Sequence, residues 1–358
     1  MKRIVLAAIV VLGLYISSCG TAKKGIMLNA ELIKQYDTPG EKPYYTTYAD
    51  GLYYSMCHTY GGFEYNLSVS GTLEQINHLY STDTVDIIRI NANERFATWG
   101  ERSNREGGME IKVFDKSTQE VKCVYKVSEY VDEQEKTILQ FPITELYEDR
   151  IFFIDRGDNR DTAILMEFDI SSNTAQEFCV LDEYQDFQPV LKLKDQWLMS
   201  AGGNQNDGVQ IMMANLVQGE VDWIALPESV ARVHAIDYDT QNNRLCIYYA
   251  TSDEKEYIGL FTMDGILIKD IYSFGSKYRM WSDDILCHGE YVLWNHYTKP
   301  KSGREELASL CNFIAYDTET DILYDFPGGF DFFFAEDRLY VNRFGNDRVH
   351  RLYQVDLP

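Results

Sequence analysis

A short polar turn that feeds an apolar or aromatic run recurs seven times down this chain, and no other feature limits its possible folds so strongly. The copies are Asp50-Gly51-Leu52-Tyr53, Asn93-Glu94-Arg95-Phe96, Glu148-Asp149-Arg150-Ile151, Lys194-Asp195-Gln196-Trp197, Asn242-Asn243-Arg244-Leu245, His288-Gly289-Glu290-Tyr291 and Glu336-Asp337-Arg338-Leu339. Measured between the first residues of the apolar runs, the steps are 44, 55, 46, 48, 46 and 48 residues. A second signal follows each turn: a strand-like run that ends in another polar turn, as in Val113-Phe114-Asp115-Lys116-Ser117-Thr118 and Ala315-Tyr316-Asp317-Thr318. Each unit therefore holds four short β-rich runs, in the second copy at 87–91, 96–101, 109–114 and 120–126. Four strands per period of roughly 45 residues mark a propeller blade. Helical periodicity is nearly absent, and Glu74 to Tyr80 reads as the outer strand of blade 1.

The two ends of the repeat array complement each other. The last copy has only three runs, near 331–335, 339–342 and 349–356, and an orphan run from Ile26 to Tyr36 precedes the first copy. Supplying that run as the fourth strand of blade 7 closes the ring and removes exposed edges. The expected fold class is all-β, with residues 26–358 forming one seven-bladed β-propeller closed by an N-terminal strand.

Before the repeats lies a targeting signal. Met1-Lys2-Arg3 is basic, and the apolar run from Ile4 to Ile16 falls short of the roughly 20 residues that span a bilayer. The run ends in Ile16-Ser17-Ser18-Cys19-Gly20, which resembles the bacterial lipobox. That resemblance implies a lipoprotein signal peptide at 1–18, lipid attachment at Cys19 and a lipidated tether over 19–25. The expected location is the bacterial cell envelope, with the body periplasmic or surface-exposed and touching membrane only through its anchor.

With these parts in view, the chain resembles the seven-bladed propeller lipoproteins of the bacterial envelope, within the wider superfamily of YncE-like, quinoprotein-like and WD-repeat propellers. The six-bladed TolB-like lipoproteins are the rival resemblance. The likeness is one of architecture: there is no Trp-Asp strand ending and no sialidase box, and Gly202-Gly203 is a single kelch-like pair.

Charge excludes some partners. With 33 basic against 56 acidic residues the formal charge is -23, which opposes any ligand bound by phosphate neutralisation, so nucleic acid is not an expected partner. Cys57, Cys123, Cys179, Cys246, Cys287 and Cys311 are too widely spaced to read as a disulfide framework or a zinc site, and burial as small hydrophobes is expected for most. The six histidines show no metal-ligand spacing. The acidic loop Asp155-Arg156-Gly157-Asp158-Asn159-Arg160-Asp161 lacks the positions of an EF-hand loop and reads as a solvated turn. No nucleophile elbow, phosphate loop or dinucleotide fingerprint occurs, so neither a metal nor a cofactor is expected and no catalytic residue is assigned.

In a propeller, the loops between second and third strands crowd one face around the central channel. Taken as 58–62, 102–108, 156–162, 202–208, 251–255, 297–307 and 343–348, these loops hold ten basic and nine acidic residues, in contrast to the rest of an acidic chain. The basic set is Arg102, Arg105, Arg156, Arg160, Lys255, Lys299, Lys301, Arg304, Arg343 and Arg348, with Trp99, Trp294, Tyr297 and Phe344 at nearby strand ends. Arginine with aromatics suits recognition of carboxylates or sugar rings. The candidate binding face is Arg102, Arg105, Arg156, Arg160, Arg304, Arg343, Trp99 and Trp294. The expected function is a non-catalytic envelope binding or scaffold module for a protein or glycan partner; the alternative is a carbohydrate-active hydrolase or lyase that uses acids in the channel.

Overall fold

The computed structural model describes residues 25–36, 41–59, 65–72, 78–82, 86–102, 109–127, 130–131, 137–138, 143–156, 163–181, 190–204, 208–275, 278–298, 311–344 and 349–358. Their secondary structure is all β. Strands Glu41–Ala49 to His78–Thr82 form blade 1, and blades 2 to 6 follow over residues 86–127, 144–180, 191–225, 230–273 and 278–327. Each blade is an antiparallel meander, from an innermost first strand to an outermost fourth. Blade 7 takes three strands from residues 329–356 and its outer strand, Asn29–Gln35, from the N-terminus. The inner strands of blades 7 and 1 are in contact, which completes the seven-bladed ring. A small hairpin, Tyr130–Val131 with Thr137–Ile138, lies between blades 2 and 3.

The turn chemistry explains why the repeat is visible. The recurring polar turn is the hairpin between first and second strands. In blades 1, 3, 4, 6 and 7 the register leaves only two residues in that loop, as between Ala49 and Leu52 or Ala335 and Arg338. So tight a loop needs positive φ, found at Asp50, Gly51, Glu148, Asp195, Gly289, Glu336 and Asp337. The second signal is the turn between third and fourth strands. There the side chains of Asp115, Asp169, Asn215 and Asp317 accept hydrogen bonds from backbone N–H groups two or three residues on, at 2.8–3.1 Å.

Side chains on each blade alternate between its two neighbours, so the core is divided into layers at the seams. Seven buried clusters fill the seven seams among the described residues. On the turn face a polar or ring contact ties the rim of every seam. Lys116 reaches Asp50 at 3.6 Å from blade 2 to blade 1, and Arg95 grips Asp149 at 2.6 Å from blade 2 to blade 3. Arg150 donates to Leu216 O at 3.2 Å, Lys194 faces Asp237 at 3.8 Å and Arg244 donates to Thr318 Oγ1 at 2.8 Å. His288 stacks on Phe334 with ring centroids 4.0 Å apart, and Tyr48 donates to Glu336 at 3.2 Å to close the circle.

The N-terminal run behaves as the ring-closure argument requires, with one addition. Asn29–Gln35 pairs antiparallel with His350–Asp356, while Ile26–Met27 adds a short parallel fifth strand to blade 6 along Ile322–Pro327. Leu28 between them is buried among Tyr324, Phe326 and Val355. The outer strand of blade 1 is described over His78–Thr82, and the earlier part of the run read from Glu74, up to residue 77, lies outside the described residues. Cys57, Cys246, Cys287 and Cys311 are buried, Cys179 is half-buried and Cys123 is exposed, because Cys123 sits beside a bulge on an outermost strand. The signal, Cys19 and the tether up to residue 24 also lie outside the described residues.

Candidate functional site

The inner strands enclose a cavity of about 330 Å³ in the central channel. Tyr45, Thr46 and Thr47 contribute from blade 1, Arg89 and Asn91 from blade 2, Lys192 from blade 4, Leu286 and Asn295 from blade 6, and Phe330 to Phe334 from blade 7. Register shifts in the inner strands, at Ile88/Asn91 in blade 2, Met280/Ile285 in blade 6 and Gly329/Asp331 in blade 7, displace the regular pleat where these residues enter.

Charge in and below the cavity is organised by blade-to-blade partners. Arg89 faces Glu145 at 3.8 Å. Asp331 accepts from Asn342 Nδ2 at 2.9 Å. Asp237 is fully buried, accepts the Cys287 backbone N–H at 2.6 Å and faces Lys194, which donates to Cys287 O at 3.0 Å. Burial pushes the Asp237 carboxyl above its ordinary range, while Lys192 and Lys194 pull the other way. Asn295 is different. It is 1% exposed, lines the cavity, and its Oδ1 has no hydrogen-bond partner among the described residues. A buried acceptor in a polar cavity carries a desolvation penalty that a hydroxyl or amide donor would relieve.

The arginine face is distributed as follows. Arg102 and Arg156 end the second strands of blades 2 and 3, so the backbone carries both to the loop face, on neighbouring blades. Arg105, Arg160 and Arg304, like Lys299, Lys301 and Arg348, lie outside the described residues. Arg343 is half-buried, with its guanidinium 5.7 Å over Phe326 and 5.8 Å over Tyr353. It packs the seam between blades 6 and 7, as an amphipathic stem does. Lys255 is exposed and pairs with Asp253 at 2.7 Å inside its own turn.

Two expectations need correction. Trp99 and Trp294 are fully buried and are not part of a recognition surface. Trp99 packs with Tyr54, Met56 and Leu67 in the seam of blades 1 and 2, and Trp294 with Ile285, Ile314 and Phe274 in that of blades 5 and 6. A strand buried on both faces shows no apolar–polar alternation, so sequence parity could not say that these rings point between blades. The channel residues Arg89, Lys192 and Asn295 were missed. Their signal is a charged or amide side chain inside an otherwise apolar strand, as in Ile87-Ile88-Arg89-Ile90 and Leu191-Lys192-Leu193.

No family model matches this chain and no curated protein does so. Solved structures resemble it in fold. A chain of the mitotic checkpoint complex aligns with TM-score 0.58 at 12% identity, covering 94% of this chain and 96% of that one. The β-propeller domain of the Trilobed protease from Pyrococcus furiosus, described as having an open velcro topology, aligns with TM-score 0.56 at 13% identity over 92% and 95%. An oligogalacturonate lyase in complex with manganese aligns with TM-score 0.51 at 12% identity over 94% and 98%. A checkpoint assembly, a protease domain and a lyase have the propeller in common with this chain, and the likeness is one of fold alone.

Proposed function

We propose that this protein is a lipid-anchored component of the bacterial cell envelope that binds a protein or glycan partner at the loop face and mouth of its propeller. The observation that carries this reading is the channel cavity: in a strongly acidic chain it presents Arg89, Lys192 and the unsatisfied Asn295 carbonyl beside aromatic rings. Cations, an amide acceptor and aromatics suit the carboxylates and hydroxyls of an acidic glycan or of a protein loop. Arg102 and Arg156, at neighbouring strand ends on the loop face, lie across the blades from the turn-side cavity and supply a second basic element of the proposed binding surface. The lipobox-like Ile16-Ser17-Ser18-Cys19 supports the anchor, and the negative charge argues against nucleic acid.

A second reading, a carbohydrate-active hydrolase or lyase, draws on the fold likeness to the oligogalacturonate lyase. Asp331, the acid that lines the cavity, and the acids near it favour binding instead. Glu145, Asp237 and Asp331 are each engaged inside the protein, by Arg89, by Lys194 with the Cys287 N–H, and by Asn342. Incubation with a panel of neutral and uronate-containing glycans separates the two. Retention of an intact glycan supports the binding reading, whereas turnover abolished by a single carboxylate substitution would replace it with the enzymatic one.

A further inference from the structure

We infer that the propeller rests on the membrane side-on, through the outer rim of blades 6 and 7, with Ile26, Met27, Leu32 and Ile33 dipping into the lipid interface. The inference rests on the proposed lipid anchor at Cys19 and departs from the expectation that the body touches membrane through that anchor alone. These four side chains are among the ten exposed large hydrophobics of the described residues, with Ile26 at 54%, Met27 at 63%, Leu32 at 49% and Ile33 at 38%. Ile26 and Met27 lie on the fifth strand of blade 6, and Leu32 and Ile33 on the outer strand of blade 7. A register shift between Leu32 and Lys34 turns two consecutive apolar side chains outward where a regular pleat would expose only one.

The occupant follows from where the tether enters. Only residues 20–24 separate the lipidated cysteine from Gly25, a reach of at most about 20 Å. Gly25 is seated against blade 6: a Cβ there would lie 2.7 Å from the Asp325 Cβ and 3.0 Å from Leu323 Cδ2. The close approach requires glycine and fixes the point from which the tether departs. A leash so short keeps this rim near the bilayer whatever else the body does. A second exposed apolar patch, Val221 and Trp223 on blade 4 with Ile266 and Ile268 on blade 5, lies further round the ring from that point.

Charge sets the tilt. The turn face exposes Asp50, Glu94, Asp195, Glu336 and Asp337 against Arg95 and Arg338, a net negative set that an anionic leaflet repels. The tether sequence that leads into the apolar rim carries Lys23 and Lys24, and the rim itself carries the exposed Glu31 together with Lys34, whose ammonium lies 5.0 Å over the Tyr36 ring, so tether and rim together are net basic. Apolar side chains flanked by lysines are the composition of an interfacial contact, whose strength grows with the apolar area it covers. In this pose the channel axis runs along the membrane, and the loop face is free to meet a partner from the side.

The test uses the full-length lipidated protein in vesicles of phosphatidylethanolamine and phosphatidylglycerol. A photoreactive benzophenone amino acid replaces Met27 or Ile33, and in parallel samples Trp223 or Ile268. The inference expects several-fold more lipid adduct at positions 27 and 33 than at 223 and 268, and slower amide exchange over residues 26–35 in vesicles than in detergent. Equal adducts on both rims, or none at 27 and 33 in a protein that carries the lipid label, would overturn the pose while leaving the anchor intact. Absence of lipid label on Cys19 would overturn the anchor and the pose together.

Discussion

The carboxylate of Asp237 on the inner strand of blade 5 accepts the backbone N–H of Cys287 on the inner strand of blade 6 at 2.6 Å, with Lys194 of blade 4 alongside at 3.8 Å. One side chain thus fastens three blades beneath the channel. Asp237→Ala leaves a buried N–H unsatisfied and is expected to cost about 1–3 kcal/mol, whereas Asp237→Asn keeps an acceptor and costs less. The pH dependence distinguishes the two roles of this group. A carboxyl whose folded pKa is raised contributes stability below its unfolded value and loses it as pH rises through the folded value. Urea titrations across that range should show the loss in the wild type and not in Asp237→Asn.

His296 gives a dependence of opposite sign. It is buried among Tyr272, Tyr278 and Phe274, and burial pushes its pKa down from 6.5 to about 4. A base held neutral by the fold contributes stability above its unfolded pKa, which is lost as pH falls from 6.5 towards 4. The full loss is about 3 kcal/mol. Asp325, pushed up to about 6 by burial, opposes it over part of the same window. His296→Phe, which keeps the ring packing, should flatten the acid limb of stability measured by denaturant titration between those two pH values.

Gly265 tests the seam between blades 4 and 5. Its φ is +78°, and a Cβ there would stand 2.0 Å from the carbonyl oxygen of Ala225. No flexible side chain can yield at that contact, because the obstacle is backbone. Gly265→Ala should therefore destabilise by more than the roughly 1 kcal/mol of a positive-φ penalty alone. Thermal denaturation of the variant measures it, and a neutral result would mean that the seam can open without cost.

Ring closure makes a further prediction. Leu28 is buried in the seam of blades 6 and 7 between two strands that pair with different blades. Leu28→Ala should cost about 2–5 kcal/mol. Amide exchange should rise first in residues 29–35 and 350–356, which are hydrogen-bonded to each other, and unchanged protection there would contradict closure by the N-terminal strand.

How much of this was legible in the sequence depended on where each residue sits in a blade. Turns were legible, because a two-residue hairpin such as Asp50-Gly51 or Glu336-Asp337 demands positive φ and so restricts residue type. The four runs read in the second copy match strands Asp86–Ala92, Phe96–Arg102, Met109–Asp115 and Glu120–Val127 within two residues. Side-chain direction was not legible for second strands, which are covered on both faces, and Trp99 and Trp294 were misplaced for that reason. The fifth strand at Ile26–Met27 left no trace either, since two residues of parallel pairing carry no pattern of their own. The channel set needs the ring to bring Arg89, Lys192 and Asn295 together from three blades, a proximity that no spacing along the chain encodes.

The central claim is that the loop face and channel mouth bind a partner in the envelope. The most direct measurement compares capture from a detergent-solubilised envelope extract by wild-type protein, by Arg102→Ala with Arg156→Ala, and by Asn295→Ala. Arginines in a desolvated interface are worth about 2 kcal/mol or more each, so the account predicts that a partner held by the wild type is lost from the arginine variant and reduced in the Asn295 variant. The same partner recovered in equal yield by all three proteins would contradict it.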